Sequence, residues 1–532
     1  MAPRGLAKAA FFVALAAGLW RSPGALGAGG ALSESVEVGQ IPRVWTHLAN
    51  EGVMFPMDVR AVAIKIGPER QLFVDNALIA EADKVTREVH PPARYEQNPI
   101  LTPAQPDEGR SAAFVFKVAR CEEPPRFRMW YLSWRAWHAW KDGQDIRFAT
   151  SYAVSDDGMH WKRPDLDLHK IEGCTERNIV IPYGLAQGVF YEPWETDPQK
   201  RFKALVCVEA RKKGERKLTV PEGYYLHTSP DGVHWKADLS HYVVPSLLGY
   251  TIPQSGAGDT SRFWWDPIRR KYIGDVKFVI PGKLRCRGVM ESDDLVHWTR
   301  PHPTLFARRG EDQIYGHAGF AYQGMYIGTR WIFRCQYDTD THSMDVELDC
   351  SRDGKLWTRV GAGQPFMPLN TKRDTWDCSR VKPTTLMVVG DEIWIYYTSS
   401  PTALDIAKGK LRASHRVGYS VGLAKLKLDR FASINGGDEP GQLVTRPLGF
   451  TGKALHLNAE VAPGGQIRAG FRARSGKEIP KFRTSACVPV HGDAIDIPVR
   501  WKSGSDISAL SDTDVRIEFR LHKAKLYAFW IK

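Results

Sequence analysis

Apolar positions in this chain come in short runs separated by Gly, Pro and Asp, and from about residue 95 the runs come in pairs. Met129–Trp134 is followed by Phe148–Ser155, Phe202–Val208 by Tyr224–Thr228, and Tyr272–Val279 by Cys286–Ser292. Met325–Phe333 is followed by Met344–Cys350, and Glu392–Tyr397 by Tyr419–Phe431. Runs rich in aromatic and β-branched residues, bounded by turn formers, predict strands. Each pair has a further apolar run ahead of it, which predicts an innermost strand. The pairs therefore read as five units of four strands over residues 95–432.

A phrase fixes the period. Ser155-Asp156-Asp157-Gly158-Met159-His160-Trp161 returns as Ser229–Trp235, Ser292–Trp298 and Ser351–Trp357, with steps of 74, 63 and 59 residues between the serines. The Asp-Gly pair predicts a hairpin turn, because Gly accepts positive φ and Asp bonds its own backbone. The Trp then re-enters a strand and caps the sheet against its neighbour. An all-β unit at this period predicts a radial array, a five-bladed β-propeller. The phrase aspartates Asp157, Asp231, Asp294 and Asp353 read as structural.

On either side the pattern changes. Residues 28–94 predict an N-terminal extension with one strand, ending at Pro91-Pro92. Ser433–Gly441 is a linker by composition. Residues 442–532 alternate again, in Ala454–Ala459, Gln466–Phe471, Asp496–Trp501, Val515–Leu521 and Ala524–Ile531. They predict a small antiparallel β-sandwich, which either binds carbohydrate or braces the propeller.

Residues 1–27 read as a secretory signal: Arg4 and Lys8 precede the apolar run Ala9–Trp20, and small residues follow at Ala25-Leu26-Gly27. The apolar run is too short for a membrane span, and no other long one exists. Removing the signal takes away Arg4, Lys8 and Arg21 and no acid, which lowers the net charge from +13 to +10. A basic exported protein is matched to anionic glycans, although the charge also fits a solvated surface. It is not concentrated in a stripe, which argues against nucleic acid. None of the eight cysteines forms C-x-x-C. Cys335 and Cys350 fall on neighbouring predicted strands, within reach of a disulfide, and most of the others read as buried. No cluster has metal-ligand spacing, and there is no calcium-loop signature, so no cofactor is expected. A propeller axis can nevertheless hold a Ca ion without one.

With its M-W-Y-x-S-W and S-x-D-G-x-H-W blades, the chain resembles the five-bladed glycoside hydrolases of families 32, 43, 68 and 117. It is similar to secreted bacterial proteins of family 32-like type. The carrying residues are Leu72–Ile79, Phe263–Pro267, Tyr315-Gly316-His317, Gly324–Gly328 and the β-rich tail. The resemblance implies a propeller glycosidase with an accessory sandwich. Fold does not set substrate.

Propeller chemistry gathers where the innermost strands converge, and acids occur near each predicted first strand: Asp107-Glu108, Glu192, Asp259, Glu311-Asp312 and Asp377. Glycoside cleavage needs two carboxyl groups across the scissile bond, and a third can shift their pKa values. The resembled families draw theirs from the first three blades. Transferred by position, Asp107 or Glu108 is base or nucleophile, and Glu192 or Asp259 is the acid or its modulator. The invertase-type N-D-P-N-G and R-D-P motifs are absent, and Asp266-Pro267 sits in a W-D-P turn, which argues against fructan hydrolysis. Arg262, His317, Arg330 and Arg380 are candidates to hold a substrate carboxylate or sulfate, or else to pair with the acids. Trp134, Trp137, His138 and Trp140 form an aromatic loop suited to stacking on sugar rings. These residues predict a glycosidase, with a non-catalytic carbohydrate-binding propeller or a glycoside phosphorylase as alternatives.

Overall fold

The computed structural model describes residues 36–37, 62–103, 113–134, 148–169, 176–208, 221, 223–245, 260–280, 284–306, 313–334, 343–372, 375–400, 419–511 and 513–532. All lie within one unit, Val36–Lys532. They are mostly strand, with a few single-turn 3-10 segments.

The predicted pairs form antiparallel sheets, each with the expected extra strand in front. Unit I joins Ala113–Arg120, Phe127–Trp134, Phe148–Ser155 and Ile179–Ile181. Unit II joins Leu185–Tyr191, Phe202–Val208, Gly223–Ser229 and Lys236–Ala237. Unit III joins Arg262–Asp266, Lys271–Ile280, Leu284–Ser292 and His302–Leu305. Unit IV begins with Gln313–Tyr322, Met325–Phe333 and Met344–Ser351. Unit V has Arg380–Val389, Glu392–Ser400 and Ser420–Lys427, and its last place is filled from the other end of the chain by Ala93–Arg94. The first strands neighbour one another in a cycle, I to II to III to IV to V and back to I. Side chains help to bond the last step, with Thr398 Oγ1 and Thr385 Oγ1 of unit V accepting the Val115 and Val118 N–H groups at 2.9 and 3.2 Å.

The repeated phrase is a hydrogen-bonded turn that also ties units together. Asp157 Oδ1 accepts the Met159 and His160 N–H groups at 2.8 Å each, and Ser155 Oγ accepts the Gly158 N–H at 2.9 Å. Burial would raise the Asp157 carboxyl, but the bonds from His160, Met159 and Ser155 outweigh it and hold it well below the usual range. Gly158 O then accepts the Tyr396 hydroxyl of unit V, and Gly232 O accepts Trp130 Nε1 of unit I at 2.8 Å. A Cβ on Gly232 would sit 2.6 Å from Trp130 Cζ2, at a φ of +77°. Gly232→Ala is therefore expected to cost roughly 2 kcal/mol in strain and overpacking. Gly390→Ala, at φ +59° with nothing within 4 Å, should cost about half as much, through strain alone. Denaturant midpoints compare the two, and equal losses would remove the packing contribution.

The flanking segments do not divide as the composition predicts. N-terminal strands Ile64–Lys65, Gln71–Leu72, Ile79–Asp83 and Val85–Val89 join the C-terminal strands in one eleven-stranded sheet around a core that includes Phe73, Phe471, Phe519 and Phe529. Part of the predicted linker is strand: Ala432–Gly436 pairs with both Val85–Val89 and Val515–Ile531. Gly436 reads as a turn residue, yet it marks a close approach, since a Cβ there would lie 2.3 Å from Leu521 O. Four predicted C-terminal strands are two long ones, Leu455–Ala473 and Val515–Ile531, bent where their register shifts between Val461 and Gln466. Cys350 is free and buried. Cys335 and the predicted signal, residues 1–27, lie outside the described residues. Among the described residues no helix is long and apolar enough to cross a membrane.

Candidate active site

Four of the five first strands carry a β-bulge near their leading end. One extra residue is inserted in each: Phe116 in unit I, Gln187 in II, Tyr315 in IV and Thr384 in V. Bulges re-aim side chains and collect at functional sites. Here the leading ends bring aromatic rings and cations together. Lys382 Nζ lies 5.0, 5.3 and 4.5 Å from the ring centres of Phe114, Tyr315 and Tyr419. The Arg262 guanidinium lies 5.1 Å from Phe114 and 5.3 Å from Trp331. Tyr419 Oη accepts from Arg380 Nη1 at 3.1 Å and from Lys382 Nζ at 3.3 Å.

This grouping perturbs its members. Burial, reinforced by Arg287, pushes Arg262 down to about 9. Burial also lowers Lys382, and Arg380 adds to that effect while Tyr419 opposes it. Burial alone would raise the Tyr419 phenol, but Lys382 and Arg380 outweigh it and bring it down to about 7.

Beside this group, units III and IV share a buried ionic network. Arg287 Nε donates to Asp275 Oδ1 at 2.6 Å, and its Nη groups reach Thr260 O at 2.8 Å and Tyr315 O at 3.2 Å. Arg330 Nε donates to Asp349 Oδ2 at 2.9 Å. His317 stands between the two acids, 3.4 Å from Asp275 Oδ2 and 3.6 Å from Asp349 Oδ2. His317 and Arg330 are thus partners of buried carboxylates. Of the four predicted anion holders, Arg262 and Arg380 join the aromatic group.

The predicted acids separate. Glu192 does not lie at the start of a first strand; it follows the end of Leu185–Tyr191. There its two oxygens accept the Tyr272 hydroxyl at 2.5 Å and Lys203 Nζ at 2.6 Å. Asp266 stands at the same place in unit III, and its carboxylate accepts the Tyr326 hydroxyl, the Ile268 and Arg269 N–H groups and Arg269 Nε. Each acid receives a tyrosine from the following unit, so the pair is a repeated inter-unit latch. A cavity of about 350 Å³ reaches this trailing end; all five first strands line it, and Arg262, Thr384, Trp194 and Trp265 are among its lining residues. Asp377 does precede a first strand, but it is ion-paired with Arg94 Nη1 and accepts Asn370 Nδ2 at 3.1 Å. It fastens Ala93–Arg94 onto unit V. Glu108, Asp259, Asp312, Trp137 and Trp140 lie outside the described residues, and of Trp134 only the backbone, at the end of Phe127–Trp134, is described. Among the described residues no three His, Cys, Asp or Glu side chains are disposed to hold a metal ion.

Lys382, Tyr419 and Phe114 were not singled out by the sequence, and Tyr315 entered only as part of a motif, not as a site residue. One signal was available: Arg380-Val381-Lys382 puts two cations on one face at the start of a strand that carries no other charge.

No protein family's sequence profile matches the chain. No curated protein matches it. Among solved structures it is similar to a glycosyl hydrolase from Bacteroides ovatus, with 11% identity and a TM-score of 0.41 over 64% of this chain and 94% of that one. A β-1,2-mannobiose phosphorylase from Listeria innocua gives 12% identity and a TM-score of 0.42, over 64% and 97%. An N-acetylgalactosamine deacetylase from F. plautii gives 14% and 0.40, over 66% and 96%.

Proposed function

We propose that the five sheets close into a five-bladed β-propeller and that the protein is an exported glycoside hydrolase, working where the first strands begin. The observation that carries this reading is the convergence there of Phe114, Arg262, Tyr315, Lys382 and Tyr419 from four units. Aromatic faces suit sugar rings and charged donors suit their oxygens. The cycle of neighbouring first strands supports closure. Glu108 and Asp259 supply the carboxyl pair, with Asp312 as the third acid, because each precedes by a few residues the first strand of unit I, III or IV. Glu192 and Asp377 are structural in this reading. The eleven-stranded sheet braces the propeller, and residues 1–27 direct export.

A phosphorylase is the second reading, favoured by the cations, which suit phosphate as well as a glycan substituent. Incubation with neutral, uronic and sulfated oligosaccharides, with and without phosphate, separates the two by mass spectrometry. Free reducing sugar without phosphate is expected. Sugar phosphate formed only with phosphate present would replace hydrolysis by phosphorolysis, and binding without any cleavage would leave a lectin.

A further inference from the structure

Among the described residues, two buried cations in the aromatic group make no ion pair with a carboxylate; Asp275 reaches Arg262 only through space, while it is bonded to Arg287. Arg262 is 6% exposed and Lys382 is 5% exposed. Arg262 Nε has no hydrogen-bond partner among the described residues, and the faces of Phe114 and Trp331 are its close company. Lys382 Nζ bonds only the Tyr419 hydroxyl among them. A buried cation without a counter-charge is strongly unfavourable, and proteins keep such groups where an anion meets them. Among the described residues, Tyr419 is the group bonded to two of these cations that can supply negative charge. Its oxygen accepts two charge-assisted bonds, from Arg380 and Lys382, an arrangement that favours phenolate over phenol.

We propose that Arg262, Arg380 and Lys382 form a subsite for an oxyanion, and that Tyr419 is its resident counter-anion, taking up a proton when the oxyanion enters. This rests on the reading of the leading ends as the active site and names the chemistry of its ligand: carboxylate, sulfate or phosphate. Among the described residues, the titratable groups acting on Tyr419 are Lys382 and Arg380 of its own unit, with Arg262 of unit III acting in turn on Lys382 and Tyr315 of unit IV on Arg380. The incoming oxyanion takes donors from the phenolate and adds negative charge beside it. The phenolate oxygen then binds one proton from solvent. Linkage makes the effect reciprocal: whatever raises the Tyr419 pKa on anion binding weakens anion binding as pH rises through it.

The test is a pH titration of the purified chain followed by phenolate ultraviolet absorbance. One tyrosine should ionise near pH 7 and vanish from the curve in Tyr419→Phe. Saturating anion should move that step up by about one unit or more, equivalent to a tenfold coupling. Inorganic phosphate, glucuronate and a sulfated monosaccharide are added separately, with glucose as the neutral control. A shift with phosphate alone assigns the subsite to free phosphate, and a shift with the acidic sugars assigns it to the glycan; both support the proposal. Arg262→Gln should weaken the anion effect at least tenfold, and Arg262→Lys, which keeps the charge and loses the fork, should weaken it less. The proposal is overturned if no tyrosine ionises near neutrality, or if no anion moves it. Its failure is separable from that of the active-site reading. Cleavage of neutral glycans with no anion effect overturns the subsite alone, whereas an anion-linked tyrosine in a protein that cleaves nothing supports the subsite and overturns the enzyme.

Discussion

Arg287→Met is expected to destabilise the protein by ~3–5 kcal/mol, the cost of leaving a buried carboxylate without its cation. Arg287 is fully buried and bonds both the Asp275 side chain and its backbone carbonyl. It also reaches Thr260 O and Tyr315 O, so its loss unfastens unit III from the bulge of unit IV. Met fills much of the volume, so most of the effect is electrostatic. Removing Asp275 as well, in Arg287→Met with Asp275→Leu, should recover most of the loss, because an apolar pair can replace a buried ion pair at little cost. The contrasting case is Arg177→Met. Arg177 pairs with Asp165 where both are more than half exposed, and no measurable loss is expected because water and salt screen such a pair. Urea unfolding reads all three. A loss below about 1 kcal/mol for Arg287→Met, or no recovery in the double variant, would contradict the network as drawn. Because Tyr315 belongs to the aromatic group, the single variant should also lose turnover in the fraction that stays folded.

The strands and turns were legible in the sequence because their signals are local. A run such as Met325–Phe333 needs only its own aromatic and β-branched residues to declare itself. The phrase turns are likewise built from bonds within a few residues, as Ser155, Asp157 and Gly158 show. What was not legible depends on partners far away. Glu192 looked like a catalytic acid because it falls near the predicted first strand of unit II. Its partners are Lys203, eleven residues on, and Tyr272, eighty residues on. A sequence clue existed, since Tyr191-Glu192-Pro193 repeats the form of Trp265-Asp266-Pro267, and the second had been read as a turn. The bulges at Phe116, Gln187, Tyr315 and Thr384 left no clue at all, because a single extra residue does not disturb an apolar run. Ala432–Gly436 was hidden for the opposite reason: its Ser, Asn and Gly suggest a loop, but a sheet edge supplied by Val85–Val89 turns them into a strand.

The amide variants of four of the candidate acids should divide into two classes that no single property predicts from sequence. Glu108→Gln and Asp259→Asn are expected to lose ~100- to 10,000-fold in kcat, the usual worth of a positioned acid or base, with unfolding midpoints unchanged. Glu192→Gln and Asp377→Asn should do the reverse. Glu192→Gln keeps the shape but weakens the charge-assisted bonds from Tyr272 and Lys203. Asp377→Asn releases the Arg94 ion pair that fastens the N-terminal strand to unit V. Each should lower stability by about 1–3 kcal/mol, since hydrogen bonds to charged groups are worth that much, while kcat stays within a few-fold. The separation follows from where the charges end. Glu192 and Asp377 have their oxygens bonded by protein donors. Asp259 directly precedes in sequence Thr260, whose hydroxyl donates to Tyr315 O at 3.0 Å. Loss of kcat in Glu192→Gln with its midpoint intact would move the chemistry to the trailing-end cavity. Full activity in both Glu108→Gln and Asp259→Asn would remove carboxylate catalysis from the leading ends and leave the cations and Tyr419 as a binding site.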